Sequence, residues 1–119
     1  MYEYKAIVTN IVDGDTFDAS VQLGFNIQAN VRFRLQDIDT PEVSKAKTPE
    51  EKAAGILARE FVKTTILNKE VTIKSFKPNG QQGKIVEAVY SRWEAAVILS
   101  DGSSLKDLLI KEGLVKSAI

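Results

Sequence analysis

Cysteine and histidine are both absent from the 119 residues. Without cysteine there are no disulfides and no thiolate metal sites; without histidine the usual general base, the usual zinc ligand and every Ser-His-Asp arrangement are gone. Any catalysis must run on carboxylates and guanidinium groups. Oxygen ligands of that kind suit hard ions such as calcium, magnesium or manganese, and by themselves they do not choose among the three. Excess charge is missing too, since 16 Lys and Arg balance 16 Asp and Glu. No overall basic field coats nucleic acid, so phosphate binding must come from a few local arginines or a metal. There is no apolar run of membrane-spanning length, and Met1-Tyr2-Glu3-Tyr4-Lys5 lacks a signal-peptide layout. The expectation is a chain that stays in the cytoplasm as written, or a secreted one if it is a mature fragment.

What is present is enough for a core. Hydrophobic residues make up 44% of the chain, which fits one domain over residues 1–119. Tyr4 to Val12 is rich in β-branched residues and stops at Asp13-Gly14, a dipeptide suited to a tight hairpin. A second strand is expected over Thr16 to Leu23, a loose turn over Gly24 to Ala29 and a third strand over Asn30 to Ile38. Thr48-Pro49-Glu50-Glu51 combines a capping hydroxyl, proline at the first helical position and glutamate three residues after the cap. A helix therefore starts at Pro49, with Ala54, Leu57, Ala58, Phe61, Val62 and Thr65 as its apolar stripe and Asn68 as its stop.

Further extended segments are expected over Val71 to Phe76, Lys84 to Val89 and Ala95 to Leu99, with a turn at Pro78-Asn79-Gly80. Ser104 and Asp107 can cap a short last helix whose Leu105, Leu108 and Leu109 face inward and which stops at Gly113. The fold class is then α+β, mainly β. It reads as a five-stranded OB-type barrel with a long helix after the third strand and a short helix near the C-terminus.

The most informative stretch runs from Val31 to Glu42, Val-Arg-Phe-Arg-Leu-Gln-Asp-Ile-Asp-Thr-Pro-Glu. Val31, Phe33, Leu35 and Ile38 suit a buried strand, but Asp37, Asp39 and Glu42 beside Arg34 would repel one another without a cation or phosphate nearby. On a straight strand Arg34 and Asp39 would fall on opposite faces. A joint site therefore requires a bulge or bend between Leu35 and Asp39. Each piece also has a plain reading. Asp13-Gly14-Asp15 could be only a turn, Asp39-Thr40-Pro41-Glu42 only a strand exit, Arg92 a partner for the Trp93 ring, and Tyr90 a surface strand residue.

Taken together, Val12-Asp13-Gly14-Asp15-Thr16, the stretch from Arg32 to Glu42 and Tyr90-Ser91-Arg92 resemble the staphylococcal nuclease family. Asp101-Gly102 and Glu112-Gly113-Leu114 follow in the same order. The resemblance implies a calcium-dependent phosphodiesterase that cuts DNA and RNA to 3′-phosphate and 5′-hydroxyl ends, with magnesium or manganese as weaker candidates for the ion. It implies that Asp15 and Asp39 bind the metal, that Thr40 lends it a backbone carbonyl and that Glu42 is the general base. Arg34 and Arg92 then bind phosphate, and Tyr90 lies near it.

The chain departs from the family pattern in four places. Val89 stands where a basic residue is frequent, the connection over Gly83 to Ala88 is longer, Asp37 adds a carboxylate, and no counterpart of the third helix with its aromatic residues follows. The alternative is a noncatalytic OB-type module of nuclease-like ancestry that binds nucleic acid or protein. In either case the chain is expected to be a monomer or weak dimer, with no membrane partner.

Overall fold

The computed structural model describes residues 2–43, 45–76 and 93–118. Five strands close into a barrel in the order β1 (Tyr2–Asp13), β2 (Thr16–Gly24), β3 (Ile27–Leu35), β6 (Trp93–Ile98), β5 (Glu70–Phe76), with β5 returning to β1. All neighbours are antiparallel except β3 and β6, which run parallel and, among the described residues, pair over Phe33↔Trp93, Arg34↔Glu94 and Leu35↔Ala95. Two short strands, β4 (Ile38–Asp39) and β7 (Ser117–Ala118), pair with each other outside the barrel. Helix α1 (Pro49–Ile66) joins β4 to β5, and α2 (Leu105–Lys111) follows β6.

The barrel interior follows from residue alternation. Along β2, buried Phe17, Ala19 and Val21 alternate with half-buried Asp18 and Ser20, so one face enters the core. Phe17 lies against Phe33 of β3 with ring centroids 5.6 Å apart. Ala6, Val8, Ile73 and Val97 from the other strands complete the barrel wall. Leu105 and Leu109 of α2 are also fully buried in this core. Asp18, on the outer face, holds Arg32 through two hydrogen bonds of 2.7 and 3.0 Å.

Several expectations hold and several shift. The Thr48 hydroxyl accepts the Glu51 N–H at 3.0 Å, as the cap sequence requires. The Glu51 carboxylate accepts from Lys47 N–H instead of closing back on Thr48. The buried stripe of α1 is Gly55, Ala58, Val62 and Ile66, and Leu57 lies on the solvent side with 64% exposure. Ala54, Phe61 and Thr65 flank that stripe half-buried, which rotates the core face away from Leu57. Asn68 takes a left-handed φ of 62° two residues after the helix ends, and its N–H donates to Val8.

The turn before β3 is also tighter than the sequence suggests. Phe25 and Asn26 both have positive φ, 54° and 63°, the signature of a two-residue hairpin, so β3 starts at Ile27. Near the C-terminus Ser104 makes no side-chain cap, and Leu108 is half-buried beside fully buried Leu105 and Leu109. Gly113 ends α2 at φ 69°. The final barrel strand begins at Trp93 and ends at Ile98. The turn expected at Pro78-Asn79-Gly80 and the strand expected over Lys84 to Val89 lie outside the described residues.

Candidate functional site

One rim of the barrel gathers residues from three distant parts of the chain. The β1–β2 hairpin carries Asp15. The ladder between β2 and β3 puts Thr16 opposite Arg34, and Leu35 N–H donates to the Asp15 carbonyl at 2.8 Å. Asp15 and Arg34 are thereby neighbours by register alone.

Asp39 arrives by the bend that strand parity demands. β3 stops at Leu35, Gln36 and Asp37 form a turn, and Asp37 adopts a left-handed φ of 63°, a conformation Asp tolerates better than most residues. The chain resumes as β4, held in place where Asp39 accepts the Lys116 N–H at 2.6 Å. Asp37 itself is exposed, and its contribution is the turn rather than a fourth carboxylate in the site.

The turn leaves one guanidinium between two carboxylates. Nη2 of Arg34 lies 3.2 Å from Asp39 Oδ1 and 3.5 Å from Asp15 Oδ2, while Nη1 donates to the Leu35 carbonyl. Asp15 is the buried member, at 5% exposure. It accepts the Thr40 N–H at 3.1 Å and the Thr16 hydroxyl at 3.0 Å. Loss of water around Asp15 raises its pKa above the ordinary 3.8, and this outweighs the lowering by the Thr40 N–H, Arg34 and Thr16; the Asp39 charge adds to the rise. Burial has the larger effect because the arginine is shared with Asp39 and partly solvated.

Thr40 is fully buried, and among the described residues its hydroxyl has no hydrogen-bond partner. What it visibly does is orient Asp15 through its backbone N–H. Beyond it, Pro41 and Glu42 lie along α1. A Cβ on Gly55 would stand 2.6 Å from the Glu42 carbonyl oxygen, so only glycine lets the strand exit approach the helix so closely. On the other side a Cβ on Gly14 would stand 2.9 Å from both Ala58 Cβ and Thr40 Oγ1. Gly14 is thus required for close approach, not for a positive φ in the hairpin. Asp13 Oδ1 accepts the Val43 N–H at 3.2 Å.

The family model for staphylococcal nuclease homologues matches residues 32–118. The chain belongs to the staphylococcal nuclease family. No curated protein matches the chain. The closed barrel and the two helices among the described residues agree with the OB-type α+β fold of that family, and membership relates the chain to nucleases and to nucleic-acid binding.

Of the site residues that the family resemblance implies, the structure brings together Asp15, Arg34, Asp39 and Thr40, with Glu42 two residues further along the same segment. Arg92 and Tyr90 lie outside the described residues; Trp93, next in sequence to Arg92, is registered against Phe33. Asp13 and Gly14 are read from sequence as a turn alone, and Gly55 has no assigned role. An isolated glycine inside the Pro49 helix was the available signal for Gly55, because glycine weakens a helix unless something packs on it. The hairpin reading of Asp13-Gly14 hid the other two.

The donor set fits a hard divalent cation. Two carboxylates converge, one of them desolvated and already attracting the positive charge of Arg34. Among the described residues no group of three or more acidic side chains that could hold a metal ion occurs; Asp15 and Asp39 could supply two anionic ligands, the other oxygens coming from carbonyls or water. No helix among the described residues is long and apolar enough to cross a membrane.

Proposed function

We propose that this chain is a calcium-dependent phosphodiesterase that hydrolyses DNA and RNA to 3′-phosphate and 5′-hydroxyl ends, residues 1–119 acting as one nuclease-like domain. The observation that carries the reading is the position of Arg34, its guanidinium 3.2 Å from Asp39 and 3.5 Å from Asp15. A phosphate-gripping cation and a pair of metal-type carboxylates occupy one barrel rim, in a chain whose family contains nucleases.

Asp15 and Asp39 would hold calcium, with the Thr40 carbonyl as a third oxygen donor. Bound there, the cation would supply positive charge against the phosphate and lower the cost of the extra charge that builds up on it. Magnesium and manganese suit the site less well, because two carboxylates plus neutral oxygens match the larger and more flexible calcium shell.

The residues of the chain carry the remaining work. Arg34 and Arg92 each present a planar donor fork, which grips two phosphate oxygens and stabilises the five-coordinate phosphorus more than the substrate. Tyr90 adds a hydroxyl contact to the same phosphate. Glu42 orders a water molecule in line with the leaving oxygen and receives its proton. The new P–O bond forms as the bond to the 5′ oxygen breaks. A proton ends on that 5′ oxygen, and the phosphate stays on the 3′ side.

Purified wild type, Arg34→Ala and Glu42→Gln, tested on single-stranded DNA, duplex DNA and RNA with calcium, magnesium, manganese or chelator, decide the matter. The expected outcome is calcium-dependent cutting by the wild type that both variants lose, with folding intact. A folded wild type that binds nucleic acid but cuts nothing with any ion would instead identify a noncatalytic binding module.

A further inference from the structure

We propose that Asp13 is a positioning residue for Glu42, acting through the hydrogen bond that its carboxylate accepts from the Val43 N–H. Its catalytic consequence rests on the nuclease reading given above; the structural seat does not.

The segment Thr40 to Val43 is fastened at three points, two from the β1–β2 hairpin and one from α1. Thr40 is tied by its N–H to Asp15. The Glu42 carbonyl rests where Gly55 leaves room on α1. Val43, the residue directly after Glu42, is tied by its N–H to Asp13 Oδ1 at 3.2 Å, a bond that spans 30 positions and is partly buried. Among the described residues the Glu42 carboxylate itself takes no hydrogen bond or ion pair. Among the described residues nothing at the end of that side chain fixes its direction, and the contacts that place Glu42 there are those of the backbone on either side. Gly55 limits how near the segment comes to the helix, and Pro41 limits the backbone before Glu42. Asp13 is the contact that fixes the backbone after it.

The position of Asp13 suits this role. Gly14 lets the hairpin lie against Thr40 and Ala58 without a side chain between them. Asp13 is consequently the last residue of β1 and stands beside the loop it holds. Among the described residues no ion pair links Asp13 to the Arg34 guanidinium, which pairs with Asp15 and Asp39. The role proposed for Asp13 is accordingly one of placement.

Two substitutions separate placement from charge. Asp13→Asn keeps an acceptor in place and removes the charge; Asp13→Glu keeps the charge and moves the acceptor by one methylene. The expected result is near wild-type kcat for Asp13→Asn and a kcat about a hundredfold lower for Asp13→Glu, the usual cost of misplacing a reacting group by about 1 Å, with KM and calcium half-saturation unchanged in both. Amide hydrogen exchange read by NMR should show Val43 protected in wild type and Asp13→Asn and faster in Asp13→Glu. The proposal is overturned if Asp13→Glu keeps kcat while Asp13→Asn loses it, if both variants match wild type, if both are equally impaired, or if Val43 exchanges freely in the wild type. Should the wild type prove inactive, the nuclease reading fails and Val43 exchange in Asp13→Glu decides the seat alone: faster exchange upholds it, unchanged exchange overturns it.

Discussion

Asp15 is held in conflict between burial and its partners. Its carboxylate accepts two hydrogen bonds and faces Arg34, yet removal from water dominates and raises its pKa above 3.8. The folded protein then holds that proton more tightly than the unfolded chain does. From pH 3.8 up to the folded value the native state binds the extra proton, so stability falls as pH rises through that window. Below it the penalty is absent, and above it the penalty is complete. Asn at this position has no charge to desolvate; its oxygen can accept from Thr40 and its amide can donate to the Thr16 hydroxyl. In chelator, the urea midpoint of Asp15→Asn should exceed that of wild type at neutral pH, and the gap should close below pH 3.8. Calcium should stabilise the wild type and leave the variant unmoved. A gap that stays constant with pH would mean that Arg34 and Thr40 fully offset the burial.

At the scale of elements, the site depends on how closely α1 can approach the strand exit. Replacing a mid-helix glycine by alanine ordinarily favours the helix by about 1 kcal/mol. Gly55 should behave in the opposite sense, because the added Cβ would stand 2.6 Å from a backbone carbonyl that cannot rotate away. Gly55→Ala is expected to lower stability by about 1–3 kcal/mol and to displace the segment carrying Glu42, which urea unfolding and NMR shifts of residues 40–43 would register. A stabilised Gly55→Ala protein would show that the segment moves aside at no cost. The elements themselves were largely legible in advance: Thr48 caps α1, Asn68 follows its end, and the first hairpin turns at Gly14-Asp15, one residue past the expected Asp13-Gly14. Leu57 was misplaced because its spacing from Ala54, Ala58 and Phe61 fits a helical stripe equally well. Only packing shows that the buried stripe runs one residue over, through Gly55, Ala58 and Val62.

Over the whole molecule, closure of the site brings β4 against residues 116–118, far along the sequence. β4 carries Asp39 and pairs with β7 at Ser117–Ala118, and the Lys116 N–H is bound to the Asp39 carbonyl at 2.6 Å. Lys116→Pro removes that donor without touching the barrel. Losing one such bond should cost about 1 kcal/mol, read as a urea midpoint shift in chelator. It should also raise the calcium concentration needed for half-saturation by calorimetric titration, because Asp39 is no longer pinned. An unchanged calcium titration would show that β3 and its turn place Asp39 unaided. Nothing in the spacing of the last residues announces this pairing, since a two-residue strand has no periodicity to read.

The sequence alone determined the chemistry available and the order of the elements. With no cysteine or histidine, thiolate and imidazole chemistry were ruled out, and side-chain alternation with helix capping set out strands and helices along the chain. It also demanded a bend before Asp39, because residues an odd number apart on a straight strand cannot share a face. Tertiary structure decided which of these groups meet. Asp15 joins Arg34 through strand register, Asp39 joins them through a left-handed turn at Asp37, and Glu42 is seated by two glycines and by Asp13. Those contacts join different elements and depend on ångström-scale packing, whereas local pattern reports only which face a residue occupies within its own element.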